Sequence, residues 1–191
     1  VLAAAASERW STLALAGWRR GHERENKGRV DSGDSTRTTL NPQDYQDRSL
    51  LAKLLFDAAP GHRLRLAIDA QRSRTDTEVL SARTTTMSGP NQVRVDDLRG
   101  HDRLQRDRLS LDYHFEGKTV LFDQARLLAY RQSSDTTQDS FEHRTTIAAA
   151  GTQTLAERER RFTFDQDVDG FEATLQRDVT LGGSEHRLVY G

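Results

Sequence analysis

Between Ser49 and Arg74 the chain alternates. Leu50, Ala52, Leu54 and Phe56 share one parity, while Ser49, Lys53 and Asp57 fall on the other with Leu51 and Leu55. After the turn Asp57-Ala58-Ala59-Pro60-Gly61-His62 the pattern sharpens: Leu64, Leu66, Ile68 and Ala70 alternate with Arg63, Arg65, Asp69 and Gln71. A period of two places the apolar set on one face of a sheet and the charged set on the other, so the stretch predicts a β-hairpin. A second pair follows. Leu109, Leu111, Tyr113 and Phe115 alternate with Arg108, Ser110, Asp112 and His114, and a tight Glu116-Gly117-Lys118 turn leads into Val120 to Arg131, where Ala125, Leu127 and Ala129 form the apolar set. A third comprises Phe171, Ala173, Leu175, Val179 and Leu181, turning at Gly182-Gly183-Ser184 into His186 to Tyr190. Phe162 and Phe164 sit on the opposite parity from Phe171, so a bulge near Asp165 to Gly170 is expected to reconcile them.

Ahead of these, Arg9 to Arg20 reads as a strand with passably apolar faces on both sides and with Trp10 and Trp18 near its ends. Tryptophans so placed suit a membrane interface and equally an ordinary core. Val1 to Ala6 reads as the end of a preceding strand or turn.

The connections have a rhythm. Gly21 to Asp47, Thr75 to Arg103 and Gln132 to Arg160 are long and rich in Gly, Ser, Thr, Asn and Asp, all turn or loop formers. Those between them are short. Antiparallel neighbours joined alternately by tight turns and long polar loops predict an all-β fold of up-and-down strands, about seven of them, forming part of a transmembrane β-barrel. In that arrangement the apolar face meets lipid and the charged face a polar lumen. The alternative is a soluble β-sandwich, a carbohydrate- or protein-binding module with Leu64, Leu66 and Ile68 in a two-sheet core.

Composition narrows this further. Hydrophobic residues make up 35% and charged residues 30%, with a mean hydropathy of -0.78, which is polar for a globular domain. The formal net charge of -1 gives no basic field for nucleic acid. With no cysteine, the chain has neither a disulfide framework nor a thiolate metal site. No run of about 18 apolar residues predicts a membrane helix, yet barrel strands need only about 9–11 residues each. The chain starts at Val1 and stops inside a strand-like run, so the expectation is an internal piece of a longer protein.

Candidate chemistry is sparse. His62 and His186 lie at short turns, and His114 lies on a polar strand face. His22, His101 and His143 fall in the expected long loops, where a ligand would approach, and are the ligand-binding candidates; each is read first as a solvated loop residue, because no spacing brings them together. Runs such as Glu157-Arg158-Glu159-Arg160-Arg161 read as solvated salt networks. No nucleophile elbow, phosphate loop or dinucleotide fingerprint is present. The expectation is no enzyme, no catalytic residue and no metal site; a third possibility, an outer-membrane enzyme barrel, lacks a catalytic constellation.

The order of short motifs carries a resemblance. Arg19-Arg20-Gly21-His22-Glu23 is followed by Asn41-Pro42-Gln43-Asp44, Leu50-Leu51-Ala52-Lys53-Leu54 and Gly61-His62-Arg63-Leu64-Arg65-Leu66. This series resembles the early barrel strands of TonB-dependent outer-membrane receptors, in particular the haem/haemoglobin receptor family. Leu109-Ser110-Leu111-Asp112-Tyr113 and His186-Arg187-Leu188-Val189-Tyr190-Gly191 resemble the strands that follow. The resemblance implies uptake of haem, or of iron from a haem protein, across a bacterial outer membrane, with TonB engaged through a plug domain. In such receptors the plug precedes a barrel of about 22 strands, so plug and remaining strands would lie outside these residues. Haem is then a transported ligand and not a resident cofactor. The implied partners are outer-membrane lipid and a haem-carrying protein at the loops. Asn41-Pro42 comes too early for the motif flanking the family's haem-ligating loop, so no ligand residue is carried over.

Overall fold

A computed structural model describes residues 1–191. The alternating segments form nine strands: β1 (Leu2–Ala6), β2 (Trp10–His22), β3 (Gln43–Ala59), β4 (His62–Glu78), β5 (Thr85–Ser88), β6 (Asn91–Glu116), β7 (Gln124–Ile147), β8 (Gln153–Leu181) and β9 (Ser184–Tyr190). All belong to one antiparallel sheet ordered β1-β2-β3-β4-β6-β7-β8-β9, with β5 pairing β6. The sheet is open: β1 and β9 end it, and β8 is itself an edge ahead of Leu175, where β9 does not reach. The two strands beyond the expected seven are β1, which pairs with β2 from Leu2↔Leu15 to Ala6↔Ser11, and β5. β4 follows β6 as far as Glu78↔Arg99, and β5 resumes on the same flank from Thr85↔Arg94. A single 3-10 turn at Leu80–Ala82 bridges the gap.

The short turns lie at one end, where glycine supplies the backbone they need. Gly61 adopts φ 78°, and Gly182 and Gly183 adopt 59° and 85°. Two successive left-handed residues make the tight hairpin whose twist matches the strands it joins. The β6–β7 connection is longer than the expected Glu116-Gly117-Lys118 turn and runs to Asp123. There the Thr119 hydroxyl accepts from the Phe122 amide at 2.9 Å, and Phe122 packs edge-on against Phe115 at 5.8 Å.

At the other end two expectations are corrected. Thr75 to Arg103 is an arm of strand and hairpin, and Gln132 to Arg160 is mostly strand, interrupted only at 148–152. The Ser and Thr residues that suggest loops also suit a pleated surface, because threonine is β-branched. Pairing decides between the two readings: β7 and β8 stay in register from Ile147↔Gln153 to Gln124↔Gln176. The bulge expected near Asp165 to Gly170 is therefore absent, and Phe162 and Phe164 lie on the face opposite Phe171. Irregular pairings occur instead at Asp57/Ala59 and at Val95/Asp97.

No second layer covers this sheet. Only four residues are buried, and Ala125 is the one hydrophobic residue among them. The two-sheet alternative is therefore not what the chain forms: Leu66 and Ile68, which a sandwich would enclose, are 38% and 44% exposed. Cohesion resides in the ladder, since 110 of 129 backbone hydrogen bonds lie within strands, and in cross-strand side-chain pairs.

Candidate functional site

The register sorts every side chain onto one of two faces. One cross-strand row on the apolar face reads Thr12, Leu54, Leu66, Leu111, Ala129, Phe171. Toward the long-connection end the apolar residues stop at Trp18 on β2, Leu50 on β3, Ala70 on β4, Leu109 on β6, Ala129 on β7 and Phe171 on β8. This boundary is oblique. Trp18 shares a row with Asp165, so by β8 the edge has dropped from Asp165 to Phe171, three same-face rows in five strand steps. With about 3.4 Å per residue and about 4.8 Å per strand, that is about 20 Å against about 24 Å, a slope of about 40°.

The opposite face is held by ion pairs. Asp112, 6% exposed, accepts from Arg65 at 2.7 Å and from Arg126 at 2.9 and 2.8 Å. Arg106 donates to Asp69 at 2.9 Å, Arg19 to Asp47 at 2.5 Å, and Ser73 to Asp47 at 2.6 Å. Arg108 stacks on Tyr130 at 4.3 Å. Two tyrosines lie over cross-strand glycines, Tyr45 over Gly21 and Tyr130 over Gly170; a Cβ on Gly170 would meet the Tyr130 ring at 2.3 Å. Aromatic cover of a strand glycine fixes register where the missing side chain would leave it loose.

The candidate ligand residues lie at the long-connection end. His22 closes β2, His101 is within β6 and His143 within β7, so all three stand on strands and not in loops. They share the face that carries the apolar band further along. One row there reads His22, Asp44, Asp76, His101, Asp139, Arg161. Its charges pair off: His22 Nδ1 with Asp44 at 2.7 Å, His101 Nδ1 with Asp76, and Arg161 with Asp139 at 2.6 Å. Arg103 Nε donates to His101 Nε2 at 2.8 Å, which leaves the imidazole proton on Nδ1 to donate to Asp76. His143 lies 3.6 Å from Glu157. Each histidine thus has its own carboxylate, and three strand steps, about 14 Å, separate His22 from His101. No cluster of three metal-ligating side chains forms.

Electrostatics follows these contacts. Burial pushes the Asp76 carboxyl up, and hydrogen bonds from His101 and Arg74 more than reverse it, leaving Asp76 below the usual carboxylate range. The Arg161 hydrogen bond holds Asp139 down in the same way. Asp165 moves up, because it shares a hydrogen bond with Asp135 across the strand pair and is repelled by its charge.

The concave surface at this end is an open depression of about 600 Å³ beside Asp44, Asp76, Glu78, Arg99, His101 and Phe141. Above it, residues 23–42 fold around Arg37, which donates to Asp31 at 2.5 Å, to the Ser32 carbonyl at 3.0 Å and to the Leu40 carbonyl at 2.6 Å. Asn41 fixes this connection to the 3-10 turn, donating to the Ser81 hydroxyl at 3.0 Å and accepting from the Ser81 amide at 3.0 Å. The surface combines carboxylates, guanidinium groups, one imidazole and one phenyl ring, which suits recognition of a polar macromolecular surface more than bond-making chemistry. Neither the Arg37 node nor the His22–Arg161 row was legible as a site in the sequence. The row needs a register that connects residues from six strands.

Fold and site together define an antiparallel sheet wall with an exposed apolar band, a charged opposite face and a polar surface at its long-connection end. No protein-family model matches the chain. Over 134 residues it is 26% identical to hemoglobin-binding protein A of Haemophilus influenzae, a match that takes in 68% of this chain and 13% of that protein. The chain therefore spans only a small part of the relative's length.

Proposed function

We propose that the chain is a section of the β-barrel wall of a TonB-dependent outer-membrane receptor for haem, or for iron taken from a haem protein. The observation that carries the reading is the slope of the apolar band. Barrel strands tilt by roughly 35–45° to the membrane normal, and a band level with the membrane must cross the hydrogen-bonded rows at that angle. The boundary drawn by the register does so, on a sheet that has no second layer. Similarity to a haemoglobin-binding protein of a Gram-negative bacterium supports the ligand class.

On this reading the apolar face meets outer-membrane lipid, the charged face looks into the lumen, and the short turns are periplasmic. The ligand or its carrier protein is bound at the end formed by residues 23–42, the β5–β6 hairpin and the long extensions of β6 to β8. A plug domain that engages TonB and the remaining strands complete the receptor outside these residues. The chain binds and transports, and no reaction is assigned to it. Haem passes as cargo.

The test is iron nutrition. Disrupting the gene should abolish growth on haemoglobin or haem as sole iron source while leaving growth on inorganic iron intact, and disrupting TonB should do the same. Unchanged growth, with the protein in the soluble fraction, would refute the reading.

A further inference from the structure

The arginines of the two faces are treated differently. On the charged face Arg19, Arg65, Arg106 and Arg126 are each bound to a carboxylate. On the apolar face beyond the band, Arg48 and Arg72 occupy one row and Arg20, Arg74 and Arg103 the next; Arg20, Arg48 and Arg72 are the first same-face residues past the edge on their strands, Arg74 is the second and Arg103 the third. Asp107 holds Arg72 through two bonds of 2.8 Å, and Asp76 holds Arg74 at 3.1 Å. Arg20, Arg48 and Arg103 are exposed and have no carboxylate partner. They are ordered all the same. Arg20 stacks on Trp18 at 4.6 Å; the Gln46 amide, assigned with its oxygen toward the donors around it, accepts from Arg48 at 2.8 and 2.9 Å and from the Trp18 indole at 3.0 Å; Arg103 rests against His101.

Below this patch on the same face lies an apolar depression of about 420 Å³ between Ala3, Ala14, Ala52, Leu54, Leu66 and Ile68. From the centre of the β4 apolar run, at residue 67, Arg72 and Arg74 are five and seven residues away. With a tilt of about 40° that is about 13 and about 18 Å along the membrane normal; Arg48, five residues from the centre of the β3 run, lies at about 13 Å and Arg103, nine from the centre of the β6 run, at about 23 Å, so the patch runs from the edge of a hydrocarbon core of roughly 15 Å half-thickness out through the headgroup layer.

We infer that this patch on β2 to β6 holds the phosphorylated headgroup of a membrane lipid, with an acyl chain laid in the alanine-lined depression. The chemistry is charge-assisted: guanidinium forks match phosphate oxygens two at a time, and the three arginines without carboxylates supply the excess positive charge. The site is confined to this sector. Beyond the band on β7 and β8 the same face carries Asp135, Asp165, Asp167 and Asp169, which repel a phosphate. The inference rests on the wall reading, since only a membrane-embedded sheet puts a lipid headgroup at this height.

The experiment uses the full protein extracted from outer membranes in mild detergent. Lipid that stays bound is counted by native mass spectrometry, and assembly is read from heat-modifiable mobility on gels. The variant Arg20→Gln/Arg48→Gln/Arg103→Gln should assemble and retain phosphorylated lipid at least about tenfold less than the parent. Arg108→Gln, on the other face, should retain the parental amount. If the triple variant does not assemble, Arg48→Gln and Arg103→Gln singly should each reduce retention about threefold. Assembled variants that retain parental lipid overturn the inference and leave the wall reading standing. Competition by millimolar inorganic phosphate at parental affinity would also overturn it, marking a free-anion site. A protein absent from the membrane fraction instead removes the wall reading itself.

Discussion

Leu66→Arg places a guanidinium in the middle of the apolar band, and its cost depends almost wholly on what that band touches. Leu64 to Ala70 is seven residues and six steps, about 20 Å of strand and about 16 Å along the normal at a 40° tilt. Leu66 therefore sits about 3 Å from the centre of its run. If the face meets water, an exposed leucine between Leu54 and Leu111 loses only cross-strand contact, and the change costs about 0.5 kcal/mol. If it meets lipid, arginine near the midplane costs about 2–4 kcal/mol. Asp69→Asn is the internal control. It lies on the other face, where Asp69 and Arg106 are each about 40% exposed (40% and 42%), and loss of such a pair costs at most about 1 kcal/mol. Urea titration of the protein folding reversibly into lipid vesicles measures both. The expected gap between the two variants is at least about 1 kcal/mol, with Leu66→Arg the worse. Equal midpoints for the two would refute the assignment of this face to lipid.

Further outcomes follow from individual contacts. Asp112→Asn leaves Arg65 and Arg126 without their shared carboxylate and should cost about 2 kcal/mol in the same titration, less than a fully buried pair because both arginines are half exposed. Gly170→Val drives a side chain into the Tyr130 ring and should cost about 1–3 kcal/mol; most of that should disappear in a Tyr130→Ala background, as a double-mutant cycle would show. Asp165 is raised by Asp135, so its contribution favours the folded state when protonated, is fully present below the ordinary carboxylate value of about 3.9 and is lost as pH rises through the raised value. Asp165→Asn should therefore raise the thermal transition at neutral pH and leave it unchanged near pH 3. Asp139, lowered by Arg161, has the opposite sign: its stabilisation is present above the ordinary value and is lost as pH falls through the lowered one, and Arg161→Gln should erase that acid-side dependence.

The strands were legible where burial or solvation repeats every second residue. Leu64, Leu66 and Ile68 against Arg63, Arg65 and Asp69 announce both faces, and the register keeps them so. Legibility failed beyond the band, where both faces are polar. From Gln132 to Ile147 neither parity is apolar, so alternation carries no signal and the Ser and Thr content points to a loop. The strand persists there because β6 and β8 supply ladder partners on both sides, a non-local cause that a window of residues cannot contain. His101 and His143 read as loop residues for the same reason. Phe162 and Phe164 differ for another reason: β8 carries aromatics on both faces, so their parity against Phe171 needs no bulge.

The extensions also decide what the polar end can be. β6, β7 and β8 hold 26, 24 and 29 residues, roughly 80–100 Å of extended chain. Even the full apolar band of an outer-membrane barrel, about 25 Å tall and crossed at about 40°, would use only about 10 residues of each. More than half of each strand therefore stands clear of the band, where β7 is laddered on both sides by β6 and β8, while β8 pairs only with β7 ahead of Leu175. Loops of that length would have to be ordered by a ligand at an entropic cost of about 1–2 kcal/mol per residue. Strands already paired are preorganised. A surface built on them, with His101, Asp76 and Arg99 fixed by register, can meet a large rigid partner with little loss of freedom, so under the proposed receptor function a carrier protein suits this end better than a small free ligand.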